Sequence, residues 1–305
     1  MKLKLLLTVV MLLWANCALA NNHPATVFPW PQPGQQVIGD IQYTRVAAGE
    51  TLLDIAERYA LGFADIRDAN PNLDPWIPEV GAEVVLPTQY ILPAVPWQGI
   101  VVNLAEYRLY HFLPERQQIH SYPIGIGQSN SPTPQGDMHI TARIPNPTWY
   151  PPASVIARWQ SQGREVRRQI PAGPDNPLGP FAINLSAQGY LIHGTNQRFG
   201  IGAQASAGCI RMNNWDIEAL VGNTQIGVAV RIIDQPVQIG VLEQQLYLKA
   251  QRSLGGQVDY PSAAQIHAQV LQAFEALGNA ERQLDLTSVE KIYHQRLGIS
   301  TQVTL

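Results

Sequence analysis

The chain carries the stretch Tyr190-Leu-Ile-His193-Gly194-Thr195-Asn196 and, shortly after it, the stretch Ser206-Ala207-Gly208-Cys209-Ile210-Arg211. A histidine and a cysteine thus stand at the two ends of one glycine-rich loop. An isolated thiol has a pKa of about 8.5 and is mostly protonated at neutral pH. An imidazole beside it can accept the thiol proton and later protonate a leaving amine. The pattern predicts catalysis with Cys209 as nucleophile and His193 as general base and acid, although two such residues can also be ordinary core or surface side chains.

The glycines of this loop favour the same chemistry. Gly194 and Gly208 let the backbone approach a neighbour closely and adopt a positive φ. Backbone N–H groups near Gly208 and Cys209 could then hold the negative oxygen that develops when a carbonyl is attacked. We therefore expect Gly208 to belong to an oxyanion loop.

Residues 1–20 have the pattern of an export signal. Met1–Lys4 carries two lysines, Leu5–Trp14 is an apolar run broken by Thr8, and Ala18-Leu19-Ala20 offers a cleavage site between small residues. A membrane anchor would need about 20 apolar residues, more than this run supplies. We expect a cleaved signal peptide over 1–20 and an exported mature protein without a membrane span.

Export changes the meaning of the two cysteines. Cys17 lies within the signal, and its lipid modification is disfavoured because Asn16 stands where a small residue is needed. Exported thiols are normally oxidised in pairs. Cys209, left without a partner, is therefore either buried and inert or kept free for chemistry, and the exported context favours the second.

Composition narrows the fold class and the partners. Hydrophobic residues make up 46% of the chain, charged residues 14%, and Gly and Pro number 24 each, which indicates many turns and β structure. The net charge of −3, with no basic stripe, excludes nucleic-acid binding. The chain has no His-Glu-x-x-His motif, no second mature cysteine to share a zinc and no phosphate loop, so we expect neither a metal nor a cofactor.

Changes in composition and in hydrophobic periodicity divide the rest of the chain into segments. Residues 21–40, rich in Pro, Gln, Asn and Gly, are expected to be a linker. Residues 41–88 predict strand, helix, helix, strand, with Leu52 and Ile55 at helical spacing after an N-cap at Thr51.

The larger part of the chain is expected to be mainly β with α. Residues 97–234 carry short strand patterns separated by turn residues, which are dense over Pro132–Pro152, and one short helix at Trp215–Val221. This spacing predicts a β-sandwich-like domain with long loops. Residues 235–305 are expected to form a helical C-terminal region, with helical periodicity at Val241–Ser253, Ser262–Leu277 and Leu286–Arg296.

Residues of the segment 41–88 match a known module. The matching positions are Tyr43-x-x-Val46-x-x-Gly49-Glu50-Thr51-Leu52-x-x-Ile55-Ala56, then Ala69-Asn70-Pro71, then Gly81-x-x-Val84-x-Leu86-Pro87. Over its whole length the segment resembles a LysM module. The resemblance implies a small βααβ unit that binds the N-acetylglucosamine-containing glycan of peptidoglycan or chitin in a shallow groove.

The cysteine segment belongs to a wider match. His193-Gly194-Thr195 precedes Ser206-x-Gly208-Cys209-Ile210-Arg211, and further matches stand upstream at Thr133-Pro134-x-Gly136, Pro145-Asn146-Pro147-Thr148-Trp149-x-Pro151-Pro152 and Ala172-Gly173-Pro174-Asp175-Asn176-Pro177-Leu178-Gly179. These residues resemble the L,D-transpeptidases, best of all the Gram-negative periplasmic group that attaches a Braun-type lipoprotein to peptidoglycan. The resemblance covers nearly the whole chain. It implies a periplasmic, carbapenem-sensitive enzyme whose partners are peptidoglycan and an outer-membrane lipoprotein.

The same resemblance implies roles for single residues. Cys209 attacks the meso-diaminopimelate–D-Ala bond of a tetrapeptide stem, D-Ala leaves, and an amine resolves the thioester. Gly194 orients the ring of His193 through its backbone carbonyl. Arg211 pairs with a substrate carboxylate, a task that suits the guanidinium group, or is a solvated surface residue. Ser206 forms a hydrogen bond within the loop or near the substrate.

Alternatives remain for the acceptor and for the class of protein. A lipoprotein lysine is the expected acceptor, whereas a second diaminopimelate would give a 3-3 cross-link and water would give an L,D-carboxypeptidase. An inactive LysM scaffold is disfavoured by the intact pair of Cys209 and His193. A Cys-His endopeptidase is disfavoured because in those enzymes the cysteine precedes the histidine. Ala207 replaces a second histidine found in much of the wider family, but the lipoprotein-attaching group varies there, so activity is still expected.

Overall fold

The computed structural model describes residues 27–255, 260–278 and 282–305. The signal peptide expected over 1–20 therefore lies outside the described residues, as do residues 21–26 of the expected linker. Within the described ranges, no helix is both long enough and apolar enough to cross a membrane.

The N-terminal elements are short: β1 (Val27–Pro29), β2 (Val37–Ile38), β3 (Gln42–Arg45), α1 (Leu52–Arg58), α2 (Phe63–Ala69), β4 (Glu83–Leu86) and β5 (Tyr90–Ile91). From β3 to β4 they follow the predicted order strand, helix, helix, strand, and β3 pairs with β4 antiparallel. Helix α1 begins with a capping box: the Thr51 hydroxyl accepts the N–H of Asp54 at 3.2 Å, and the Asp54 carboxylate accepts the N–H of Thr51 at 2.9 Å. Leu52, Ile55 and Ile66 are fully buried in the core of this N-terminal module, residues 41–88.

A nine-stranded sheet forms the centre of the molecule. The elements that follow β5 are β6 (Gly99–Asn103), β7 (Arg108–Leu113), β8 (Gln118–Pro123), β9 (Ile126–Gly127), β10 (Gly136–Pro145), α3 (Ala153–Ser161), β11 (Phe181–Leu185), β12 (Leu191–His193), β13 (Gln204–Ser206), β14 (Ile210–Arg211), α4 (Asn214–Asn223) and β15 (Ala229–Ile233). The strand order is β1-β8-β7-β6-β15-β10-β11-β12-β14, and β6 with β15 and β12 with β14 are parallel pairs. Apolar residues of the sheet and of α4 share one core in this central domain, residues 97–234. The predicted class, mainly β with α, is confirmed.

Two elements of the central domain differ from the prediction. Strand β10 lies within the segment Pro132–Pro152, where turn residues are dense. Its residues Met138, Ile140, Ala142 and Ile144 alternate with polar residues, but only Ile140 is buried. The strand pairs with β11 on one side and β15 on the other. Helix α3 is additional to the predicted helix, which is α4, and its Val155 and Trp159 pack with Ile170.

Most of the expected linker is part of the fold. Strand β1 pairs antiparallel with β8, and β2 pairs with β5. The physical reason is aromatic packing: the ring centroids of Phe28 and Tyr90 lie 5.8 Å apart, and those of Trp30 and Trp97 lie 5.9 Å apart, both in edge-to-face geometry. Residues 27–40 therefore do not form the free linker that composition predicts.

The C-terminal unit, residues 235–305, is not purely helical. It contains β16 (Val237–Leu242), β17 (Gln245–Ala250), α5 (Ala263–Leu277), α6 (Leu286–Gln295) and β18 (Thr301–Gln302). The two later helices agree with the prediction, but the helix predicted over Val241–Ser253 is wrong. Glu243 and Gln244 have positive φ angles of 49° and 62°, which is the geometry of a two-residue hairpin turn. Leu246 and Leu248 are buried at alternate positions, the period of a strand.

Buried ion pairs join the three parts. Arg108 of β7 contacts Asp65 of α2 at 3.0 Å, and Lys249 of β17 contacts Glu106 at 2.9 Å. Arg108 and Lys249 side chains are only 1% and 2% exposed. A buried charge is costly without its partner. The N-terminal module and the C-terminal unit are therefore fixed to the central domain by ion pairs. Loss of either contact would leave a buried charge without its partner.

Candidate active site

Parallel pairing brings the two ends of the glycine-rich loop together. His193 is the last residue of β12, and Cys209 comes directly before β14, which runs beside β12 with His193 opposite Arg211. The carbonyl of His193 accepts the N–H of Met212 at 2.8 Å. Cys209 is a free, half-buried thiol whose Sγ lies 3.8 Å from the carbonyl of Gly189. His193 and Cys209 line the same cavity.

The tautomer of His193 follows from its backbone contact. Its Nδ1 lies 2.6 Å from the carbonyl oxygen of Gly194. A carbonyl can only accept a hydrogen bond, so Nδ1 carries the proton and Nε2 keeps a free lone pair. Burial lowers the pKa of His193 to about 4; the Gly194 contact raises it and the charge of Arg211 lowers it. At neutral pH the ring is therefore a neutral base with a fixed orientation.

The thiol also rests in its neutral form. Burial raises the pKa of Cys209, and this effect exceeds the lowering by a backbone hydrogen bond from Leu191 and by the positive charge of Arg211. A neutral thiol needs a base to become a nucleophile. The site therefore combines a protonated thiol with a neutral imidazole, rather than a preformed ion pair.

Asn214, a residue that the sequence did not single out, supports the histidine loop. Its Oδ1 accepts the N–H of Thr195 at 2.9 Å. A Cβ placed on Gly194 would lie 2.5 Å from this oxygen, so only glycine fits there. Asn214 is the first residue of α4, and a polar residue at a helix start is an ordinary sequence feature with no indication of this contact.

The loop before Cys209 is held by two hydroxyl groups. The Ser206 hydroxyl donates to the carbonyl of Cys209 and accepts the N–H of Gly208 at 3.1 Å. Thr133 donates to the carbonyl of Gly208 at 2.9 Å and accepts the N–H of Gly127 at 2.9 Å. Gly208 has a positive φ of 106°, a conformation that favours glycine. Ser206 thus forms its hydrogen bonds within the loop.

These contacts change the expected source of oxyanion donors. The N–H of Gly208 already has an acceptor in Ser206. The N–H of Cys209 has no acceptor within the described part of the chain. Of the two amides expected near the oxyanion, that of Cys209 is the one available to a substrate.

The cavity in front of Cys209 has a volume of about 490 Å³. Its walls include the aromatic side chains Trp149 and Tyr150 and the guanidinium groups of Arg158 and Arg211. Burial lowers the pKa of Arg211, and the Nε of Arg211 is buried without a hydrogen-bond partner among the described residues. Arg158 and Arg211 also line a neighbouring cavity of about 520 Å³. Two guanidinium groups thus stand between two adjoining cavities.

Asn176 holds the loops that wall this cavity. It is fully buried, and its Nδ2 donates to the carbonyls of Pro147 at 2.7 Å and of Ile170 and Pro171 at 3.1 Å. Its Oδ1 accepts the N–H of Leu178 at 2.8 Å. The asparagine therefore joins chain segments that are distant in sequence, a role that its local sequence does not reveal.

The residue before Gly208 also belongs to the site. Ala207 lines the cavity at the position of the missing second histidine. In the described ranges, no cluster of three or more His, Cys, Asp or Glu residues could hold a metal ion.

Comparisons with known proteins agree with one another. A family model for the L,D-transpeptidase catalytic domain matches residues 98–239. The chain is similar to the probable L,D-transpeptidase YcfS of Escherichia coli, with 41% identity over 74% of this chain and 72% of that protein. It is also similar to the probable L,D-transpeptidase ErfK/SrfK of Escherichia coli, with 33% identity over 93% of each chain.

Solved structures were matched at low identity. The catalytic domain of an Enterococcus faecium L,D-transpeptidase has 16% identity and a TM-score of 0.35, over 46% of this chain and 100% of that chain. An L,D-transpeptidase from Mycobacterium tuberculosis has 16% identity and a TM-score of 0.33, over 51% of this chain and 73% of that chain.

Proposed function

This chain belongs to the L,D-transpeptidase family, and from this membership we propose that it is a periplasmic peptidoglycan enzyme whose nucleophile is Cys209. One observation carries the residue assignment. Nδ1 of His193 is bound by the carbonyl of Gly194, which leaves Nε2 as a free base in the cavity that also contains the one thiol of the described chain.

The proposed acylation begins with proton transfer from Cys209 Sγ to His193 Nε2. The sulfur attacks the carbonyl at the L-centre of meso-diaminopimelate in a tetrapeptide stem, and the N–H of Cys209 supports the oxyanion. When the tetrahedral intermediate collapses, the C–N bond to D-Ala breaks and the imidazolium returns its proton to the leaving amine. A thioester on Cys209 remains.

Transfer of the acyl group from Cys209 to the acceptor follows the reverse order of proton transfers and bond changes, with the acceptor amine in place of D-Ala. An acceptor amine attacks the thioester carbonyl and gives a proton to His193, the C–S bond breaks, and the thiol is restored. The adjoining cavities that share Arg158 and Arg211 support this reaction, because two substrates must approach one carbon. We propose that Arg211 pairs with a substrate carboxylate, because Arg211 lines both cavities and a guanidinium group suits this task.

For the acceptor we propose the lysine of a Braun-type outer-membrane lipoprotein. Its support is the resemblance of the residues around the loop to the lipoprotein-attaching group. A diaminopimelate amine, which gives a 3-3 cross-link, and water, which gives carboxypeptidase activity, are the competing acceptors.

We further propose that the N-terminal module is a LysM unit that binds the glycan. The observed order of strands and helices and the capping box at Thr51 support this interpretation. The apolar residues of its core carry the fold of the module, so the glycan-binding surface must lie elsewhere on it.

The first test is intact mass spectrometry of the mature protein after incubation with a carbapenem. A carbapenem mimics the acyl donor, so the wild type should gain the mass of one drug molecule and Cys209→Ala should gain none. His193→Gln should acylate much more slowly while keeping its thiol, which separates the base from the nucleophile. A folded wild type with a free thiol and no adduct would contradict the assignment.

The acceptor is tested by product analysis. The enzyme is incubated with a disaccharide tetrapeptide, alone and with a peptide that ends in lysine. A lysine-linked product supports lipoprotein attachment, whereas a dimer of stems or a tripeptide stem identifies one of the competing acceptors.

A further inference from the structure

A third cavity, of about 500 Å³, lies where the N-terminal module, the central domain and the C-terminal unit meet. We call it the interdomain pocket. The lining residues used below are Phe63, Trp76, Phe199, Gln204, Asp68 and Arg252. Its volume falls in the range of small-molecule sites, roughly 300–1,000 Å³.

Three aromatic rings form one wall of the interdomain pocket. Phe63 and Trp76 are stacked, with centroids 5.2 Å apart and planes 21° apart, and Phe199 of the central domain lies 6.4 Å from Trp76. Trp76 is 52% exposed and Phe199 is 65% exposed. Large aromatic side chains left in water next to a cavity indicate a binding surface.

Polar side chains also line the pocket. The Asp68 carboxylate is 5% exposed and lies 2.8 Å from Arg67 and 3.4 Å from Arg252. Gln204, on the central domain, adds an amide. Carboxylate, guanidinium and amide groups together offer both donors and acceptors of hydrogen bonds.

The pocket walls are fixed relative to each other. The N–H groups of Phe63 and Ala64 donate to the carbonyls of Ile201 and Gly202 at 3.2 and 3.1 Å. A Cβ on Gly202 would lie 2.2 Å from the backbone nitrogen of Phe63. Backbones in such close contact leave no room for sliding, so the aromatic wall is a single surface built from two parts of the chain.

One short segment connects this pocket with the active site. Phe199 and Gln204 line the interdomain pocket, and Ala205 and Cys209 line the catalytic cavity. Gln204 and Cys209 are five positions apart, which corresponds to at most about 17 Å of fully extended chain. Ala205, the residue directly after Gln204, already lines the cavity of Cys209, and a stem peptide with three residues up to the attacked carbonyl reaches about 10 Å on the same scale, so a stem rooted at the edge of the pocket extends towards the thiol.

From these observations we propose that the interdomain pocket binds sugar rings of the glycan strand whose stem peptide is attacked. A pyranose ring offers an apolar C–H face, which stacks on aromatic rings, and hydroxyl and acetamido groups, which pair with charged and amide side chains. The proposal rests on peptidoglycan being the substrate. It assigns part of glycan recognition to the central domain, through Phe199, and not to the N-terminal module alone.

The test is calorimetric binding of an N-acetylglucosamine hexamer and of stem-free glycan strands to the full mature chain. Phe199→Ala and Trp76→Ala should each weaken binding roughly tenfold or more, the loss expected when a central aromatic contact is truncated. Both side chains are more than half exposed, so both variants should keep the wild-type unfolding temperature. Ile226→Ala is the matched control, because Ile226 is 66% exposed and does not line the pocket.

A second measurement separates this proposal from the proposed function. All three variants should form the carbapenem adduct at Cys209 at the wild-type rate, and the pocket variants should lose activity only on stems attached to glycan. Wild-type affinity in Phe199→Ala, or no glycan binding by a wild type that acylates normally, would overturn the pocket assignment. Failure of the wild type to acylate would instead overturn the proposed function.

Discussion

Thr133 and Gly208, 75 positions apart in sequence, are joined by a 2.9 Å hydrogen bond from the threonine hydroxyl to the glycine carbonyl. Thr133→Val should slow carbapenem acylation of Cys209 by roughly tenfold or more, because small misplacements of reacting groups are costly. Thr133→Ser keeps the hydroxyl and should stay near the wild-type rate. Stopped-flow acylation measures both. Equal rates for the valine and serine variants would show that this hydrogen bond does not position the loop.

Asn214 should act as a positioning residue for His193. Asn214→Ala removes the acceptor of the Thr195 N–H and should lower kcat with little change in KM, since it does not line the cavity. Asn214→Asp retains an oxygen acceptor and should restore most of the rate. Steady-state kinetics with a tetrapeptide stem distinguish this outcome from a general loss of folding, which would lower the amount of active enzyme in both variants.

The acid limb of the pH–rate profile for acylation should lie near pH 4. His193 must be neutral to accept the thiol proton, and burial lowers its pKa to about 4. The rate of acylation should therefore remain high from neutral pH down to about pH 5 and fall below that. Acylation rates of the wild type measured across pH 3.5–8 check this, and the midpoint of the acid limb is expected to within about one pH unit. An acid limb centred near pH 6.5, the value of an unperturbed histidine, contradicts a buried neutral base.

The free energy of unfolding should depend on pH because two histidines are buried in the folded chain. His193 and His111 both have a pKa lowered to about 4 in the folded state, first of all by burial. Between about pH 4 and 6.5 the unfolded chain binds protons that the native state does not, so their stabilising effect is complete above pH 6.5 and is lost as the pH falls towards 4. We expect a loss on the order of 3 kcal/mol per histidine over this pH range. Urea unfolding of wild type and His111→Phe should show a smaller pH slope in the variant.

Breaking the ion pair between Arg108 and Asp65 should be costly. Asp65→Asn leaves the guanidinium of Arg108 buried without its counter-charge and should destabilise the chain by about 3–5 kcal/mol. The paired substitution Arg108→Met with Asp65→Leu should recover part of this loss. Denaturant unfolding gives the values, and Arg231→Ala, which breaks a surface ion pair, is the control expected to change little.

The arrangement of the glycine-rich loop could be predicted because its signal is local. His193 and Gly194 are adjacent in sequence, and Ser206, Gly208 and Cys209 lie within one loop, so their residue types and spacing already restrict the possible contacts. The capping box of Thr51 and the helix that follows it were predictable for the same reason.

The supporting contacts were not predictable, because they join distant parts of the chain. Nothing near Thr133 in sequence indicates Gly208, and nothing near Asn176 indicates that its side chain connects its own loop to the loop of Pro147. The hairpin around Glu243 was mistaken for a helix because its apolar residues fit both periods over a short window. Strand β10 was missed because the turn residues on both sides of it outweighed the alternation of Met138, Ile140 and Ala142 with polar residues.

The contact between Lys249 and Glu106 has a practical consequence for protein engineering. Glu106 also accepts hydrogen bonds from Asn103 at 2.8 Å and from Gln238 at 3.0 Å, so the C-terminal unit supplies two of its partners. A shortened enzyme that stops near residue 234 would expose this carboxylate and the apolar surface around it. Such a truncated protein should be poorly soluble, and inhibitor screens are better served by the full mature chain than by the minimal transpeptidase domain.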